Sequence, residues 1–117
     1  MRTTKAEYEA FKSYCVDYQT TLGLKNWGLY FEHTKLKTAY AQTAWSTNAM
    51  AATIKFTTNW DNTRPKNDLE IKRVALHEVL HVLLAPLVSE AEFRYSTEDA
   101  IQMAEHSIVR QLESLVS

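Results

Sequence analysis

The chain has one cysteine, two glycines and two prolines among 117 residues. A single cysteine closes no internal disulfide. Without a Cys-x-x-Cys pair there is no zinc ribbon and no thioredoxin-type redox motif. Two glycines cannot build a glycine-rich phosphate loop. Neither sign of charge dominates: thirteen Lys and Arg face fourteen Asp and Glu, for a net charge of −1. The global basic charge of a dedicated nucleic-acid binder is therefore lacking. The opening residues, MRTTKAEYEAFKSY, hold no apolar core of a secretory signal. The longest mostly apolar stretch, Val79 to Val88, is broken by His81 and Pro86 and is too short to span a bilayer. No repeat, low-complexity run or linker divides the sequence. The expectation is one cytoplasmic domain over residues 1–117, with neither nucleic acid nor membrane as partner. Hydrophobic residues at 45% and charged residues at 23% fit a globular core.

Residues 4 to 22 read as a first helix. Thr4 and Glu7 can form a capping box, and Gly23 suits the position just past the helix end. Tyr8, Phe11, Cys15, Tyr18 and Leu22 recur at steps of three and four and make one apolar stripe. Cys15 on that stripe reads as a small core residue. Residues 27 to 57 read as three strands: Trp27 to Glu32, Thr38 to Trp45, and Ala51 to Phe56, with a turn at Ser46-Thr47-Asn48. Tyr8, Tyr14, Trp27, Trp45 and Trp60 read as core and rim aromatics rather than a platform for bases. A second helix starts near Asn67 or Asp68 and is expected to end at Pro86. It is apolar on nearly every side, as in the middle of a domain. A third helix starts at Ser96, with Ser96 and Asp99 as a capping box. Ile101, Ala104, Glu105, Ile108, Leu112 and Leu115 form its inward stripe. The fold class expected is α+β: N-terminal helix, small three-stranded sheet, buried helix, C-terminal helix.

The buried helix contains Ala75-Leu76-His77-Glu78-Val79-Leu80-His81, the pattern His-Glu-x-x-His. Residues four apart lie one turn apart on the same face, so both imidazoles can reach one metal ion. Glu78 projects about 100° around the helix from His77. It can stand beside the metal without ligating it and take a proton from an attacking water. Imidazoles and a carboxylate in an apolar helix are costly unless paired or metal-bound. The bland alternative is a pair of satisfied core histidines.

A catalytic zinc takes three protein ligands and keeps one position open. The downstream candidates are Glu90, Glu92, Glu98, Asp99, Glu105 and His106. Glu98 and Asp99 are already explained by the start of a helix. Glu90 and Glu92 lie in a polar connection. Glu105 sits on a core stripe and needs a partner, so it is the expected third ligand, with His106 next. His106, or Tyr95 or Arg94 ahead of the third helix, could donate a hydrogen bond to a developing oxyanion. His33 reads as a surface histidine. The strand Ala51 to Phe56, if it is a sheet edge beside the metal, could hold an extended peptide by strand addition.

The stretches Val74 to Leu87 and Ala104 to Leu112 (AEHSIVRQL), with a weaker match over Ala39 to Phe56, resemble the minimal gluzincin-type zinc metallopeptidases. The likeness is strongest to the small ones encoded by phages and prophages, and it covers about half of the chain. It implies Zn2+ held by His77, His81 and Glu105, with Glu78 as general base. It also implies a small mixed or antiparallel sheet and, for a phage protein, the host cytoplasm. Ala104 departs from it, standing where relatives often carry a second Glu. The function expected is a zinc-dependent endopeptidase, a monomer acting on a protein or peptide substrate. Its rivals are a zinc-stabilised binding or regulatory protein that does not turn over substrate, and hydrolysis of a non-peptide amide such as a cell-wall bond.

Overall fold

The first helix, α1, covers Lys5–Thr21 and begins as its capping residues dictate. Thr4 Oγ1 accepts from the Glu7 amide at 3.1 Å, and Glu7 Oε1 accepts from the Thr4 amide at 2.8 Å. Each side chain satisfies an amide that the helix start would orphan. The other end closes in a Schellman motif. Gly23 takes a φ of +73°, Leu24 N–H reaches the Gln19 carbonyl, and Gly23 N–H reaches that of Thr20.

Three strands follow: β1 (Gly28–Thr34), β2 (Ala41–Ser46) and β3 (Ala51–Thr57). β2 starts three residues later than expected. The turn between β2 and β3 spans 47–50 and ends in Met50, whose φ of +50° is left-handed. The sheet order is β1-β3-β2, with β1 parallel and β2 antiparallel to β3. This corrects the expectation of β3 as a peptide-holding edge. Its backbone is paired on both sides, and among the described residues the edge strand beside the histidine helix is β2. Strand alternation sorts the faces. Leu29, Phe31, Ala52, Ile54 and Phe56 turn to the helices, while Tyr30 and Glu32 are exposed.

The main core lies between this sheet, α1 and the long helix. Phe11 and Phe56 stack at 4.5 Å, and Trp60, Ile54 and Cys15 are fully buried. His33 is no surface histidine. Its ring is half-buried and stacks on Tyr8 at 4.7 Å, with Nε2 2.6 Å from Thr3 Oγ1. The Thr3 hydroxyl gives its only proton to the Thr57 carbonyl, so His33 Nε2 is the donor in that pair.

The long helix, α2, covers Asp68–Glu92 and passes through Pro86. Its N-cap is Asn67, whose Oδ1 accepts from the Glu70 amide at 2.9 Å. The proline removes one helix hydrogen bond, a cost of about 3 kcal/mol. Burial of Ala85 and Val88 on the inward face of the same turn offsets it. With the proline absorbed, α2 is long and apolar enough, by length and composition, to cross a membrane, though 56% of its most apolar stretch is buried in protein. The last helix, α3, covers Glu98–Val116. The computed structural model describes residues 1–92 and 97–116, the last three by backbone alone. The placements expected for Arg94, Tyr95, Ser96 and the Leu115 side chain fall outside the described residues. At the described start of α3, the Thr97 carbonyl accepts from Ile101 N–H and its Oγ1 from Ala100 N–H. The inward stripe is Ile101, Glu105 and Val109 rather than one through Ala104 and Ile108, which are exposed. The fold is thus α+β, with three helices around a three-stranded mixed sheet.

Candidate metal centre

α2 and α3 run antiparallel, and polar side chains meet across their seam. His77 Nδ1 pairs with Glu113 Oε1, and His81 Nδ1 pairs with Glu105 Oε2 at 2.7 Å. A small apolar cluster of Leu76, Leu80 and Val109 packs beside them. The i, i+4 spacing puts His77 and His81 on one face, with ring centroids 5.0 Å apart. His106, from α3, completes the group. Its ring lies 5.0 Å from that of His81 and 5.8 Å from that of His77.

His77, His81 and His106 each offer a ligand atom within 4.8 Å of the others, close enough to bind a metal ion. The donor chemistry fits a cation. His106 Nδ1 lies 3.0 Å from the Gln102 carbonyl, which can only accept, so Nδ1 carries the proton. The carboxylate oxygens of Glu105 and Glu113 accept likewise from His81 and His77. All three Nδ1 protons are then committed, and three Nε2 lone pairs remain for a metal. Acceptors on the non-ligating nitrogen are the usual means of fixing tautomer and ring direction in metal sites.

Glu105, the expected third ligand, is buried as its stripe requires. Its carboxylate meets His81 Nδ1 and is not one of the three clustered ligand atoms. His106, expected as a second choice of ligand or an oxyanion donor, is the residue that joins the two helix-borne histidines. The pair is adjacent on α3, and both face α2.

Glu78 is 5% exposed. Burial pushes its carboxyl pKa up, against the opposing pull of the His81 imidazole and of a hydrogen bond from Thr43. That bond runs from Thr43 Oγ1 on β2 to Glu78 Oε1 at 2.8 Å. Burial lowers the pKa of His77, with Glu113 opposing and His81 adding to it. His77, Glu78, His81 and His106 line an open cleft of about 880 Å³ between β2, α2 and α3, with Thr43, Trp45, Arg73 and Arg110 on its walls.

Thr43, Gln102 and Glu113 were not singled out by the sequence. Glu113 had a signal, since it lies two turns from Glu105 and His106 on one side of α3. Thr43 had none, because contact between β2 and α2 is wholly tertiary. No family model matches this chain, and no curated protein or solved structure matches it either.

Proposed function

We propose that the chain is a zinc-dependent hydrolase of peptide bonds, with His77, His81 and His106 as metal ligands and Glu78 as general base. The observation that carries this reading is the convergence of three imidazoles, each with its Nδ1 committed, beside a buried carboxylate in an open cleft. Three nitrogen ligands and an open position suit catalytic zinc. When bound, zinc supplies Lewis acidity, polarising a carbonyl and acidifying water. The protein's own part is to place and move protons. Thr43 occupies Glu78 Oε1 and leaves Oε2 to take the proton of the attacking water and pass it to the leaving amine. The raised pKa of Glu78 suits that exchange, because a base that is too weak cannot take the proton and one that is too strong cannot release it. Glu105, Glu113 and the Gln102 carbonyl hold the imidazoles in the ligating tautomer. The edge of β2 supports a peptide substrate, since its main-chain groups can pair with an extended chain.

A second reading rests on the slightness of the α2–α3 seam, whose apolar cluster has three fully buried residues. A metal there would tie the helices together without turnover. It gives Glu78 no task.

The test is metal content by elemental analysis together with cleavage of a peptide library. About one zinc per chain is expected in wild type and in Glu78→Gln, with cleavage by wild type alone. Equal cleavage by the two proteins would sink the mechanism with Glu78 as general base. Zinc retained with no cleavage by either would favour the structural reading.

A further inference from the structure

The cleft walls carry a set of cations that the chemistry above does not use. Arg73 lies one turn before His77 on α2, and Arg110 lies one turn after His106 on α3. Residues four apart share a helix face, so each guanidinium stands next to a clustered histidine. Because the helices are antiparallel, both arginines lie toward the same end of the histidine group. Both line the cleft, as does Arg64.

Lys55 and the carboxylates of Glu78, Glu92, Glu105 and Glu113 line the cleft as well. Glu78 is held by Thr43, Glu105 by His81 and Glu113 by His77. Glu70 pairs with Arg73 at 3.2 Å and with Arg64 at 3.6 Å, one carboxylate against two guanidinium groups. The Arg73 side chain remains 52% exposed. Arg110 is exposed and forms no ion pair among the described residues. Arg110 and the exposed part of Arg73 are thus guanidinium groups at one end of the cleft that a ligand can reach.

Resting on the peptide-hydrolase reading for where the substrate lies, we propose that Arg110 and Arg73 select a substrate carboxylate beside the scissile bond. Guanidinium groups bind carboxylates through paired, charge-assisted hydrogen bonds. The carboxylate can come from an acidic side chain or from the substrate's C-terminus.

The zinc-loaded Glu78→Gln full chain separates these sources without turnover. Its affinity is measured by fluorescence anisotropy for two dye-labelled nonapeptides that differ only in Glu or Gln at the centre. Each is made as a C-terminal acid and as an amide. Tighter binding of the Glu peptides by about tenfold, lost on adding Arg110→Gln and reduced by Arg73→Gln, supports side-chain recognition. A preference for acid over amide, lost in the same variants, supports recognition of the C-terminus. Equal affinity for all four peptides, including no binding of any, overturns the proposal. So does a preference that survives both substitutions. Wild-type cleavage is scored separately. Charge preference without cleavage refutes the peptidase alone, and cleavage without charge preference refutes this inference alone.

Discussion

The two sides of α2 are held by different physics. Toward α1 and the sheet, it meets a broad apolar core with Phe11, Phe56, Ile54 and Trp60 fully buried. Toward α3, it meets Leu76, Leu80 and Val109 and two carboxylate–imidazole pairs. The first side is held mainly by apolar burial. The second depends on ionisation and, under the proposed function, on zinc. One helix can thus be a fixed support on one face and an adjustable half-site on the other.

Deep truncation breaks the contrast hardest. Phe56→Ala is expected to cost about 3–5 kcal/mol, and Val109→Ala in the seam about 2 kcal/mol, by urea unfolding. Equal costs would mean that the seam is as much a core as the sheet side. Next, His106→Ala should weaken zinc binding more than a hundredfold, with α3 amides exchanging faster and sheet amides unchanged. Glu105→Gln removes only the acceptor behind His81 and should weaken zinc about 10–100-fold. A larger loss from Glu105→Gln than from His106→Ala would restore Glu105 as the ligand.

The smallest effect concerns Glu78. Its folded pKa is raised, so between the ordinary carboxylate range and that raised value the folded state holds more protons than the unfolded one. Stability therefore falls as pH rises through that window. In zinc-free protein, Glu78→Gln should be more stable than wild type above the window, and the gain should fade at lower pH. A gain that is independent of pH would mean that burial of Glu78 is not its cause.

Local rules made much of this legible in the sequence. The capping box, the glycine end of α1, strand alternation and the His77–His81 pair each depend on residues within a few positions of one another. Sheet order was not legible, because nothing within β3 records that it is flanked on both sides. Pro86 misled because its local cost is real, whereas the burial of Ala85 and Val88 that favours a continuous helix is tertiary. For Glu105, the stripe showed correctly that the carboxylate faces inward. It could not show whether a metal or an imidazole nitrogen waits there. That choice depends on the depth and rotation of α3 against α2, set by Val109 and its neighbours.

The two carboxylate–imidazole contacts are nested along the chain. His81 and Glu105 are 24 positions apart, and His77 and Glu113 enclose them at 36. In polymer terms, forming the inner contact pays most of the loop-closure entropy, and the outer one then adds little. The seam behaves as a zipper whose inner contact is His81–Glu105 and whose outer contact is His77–Glu113. Fraying from that outer contact would begin beside Arg73 and Arg110, at the end of the cleft where we propose that a substrate carboxylate binds.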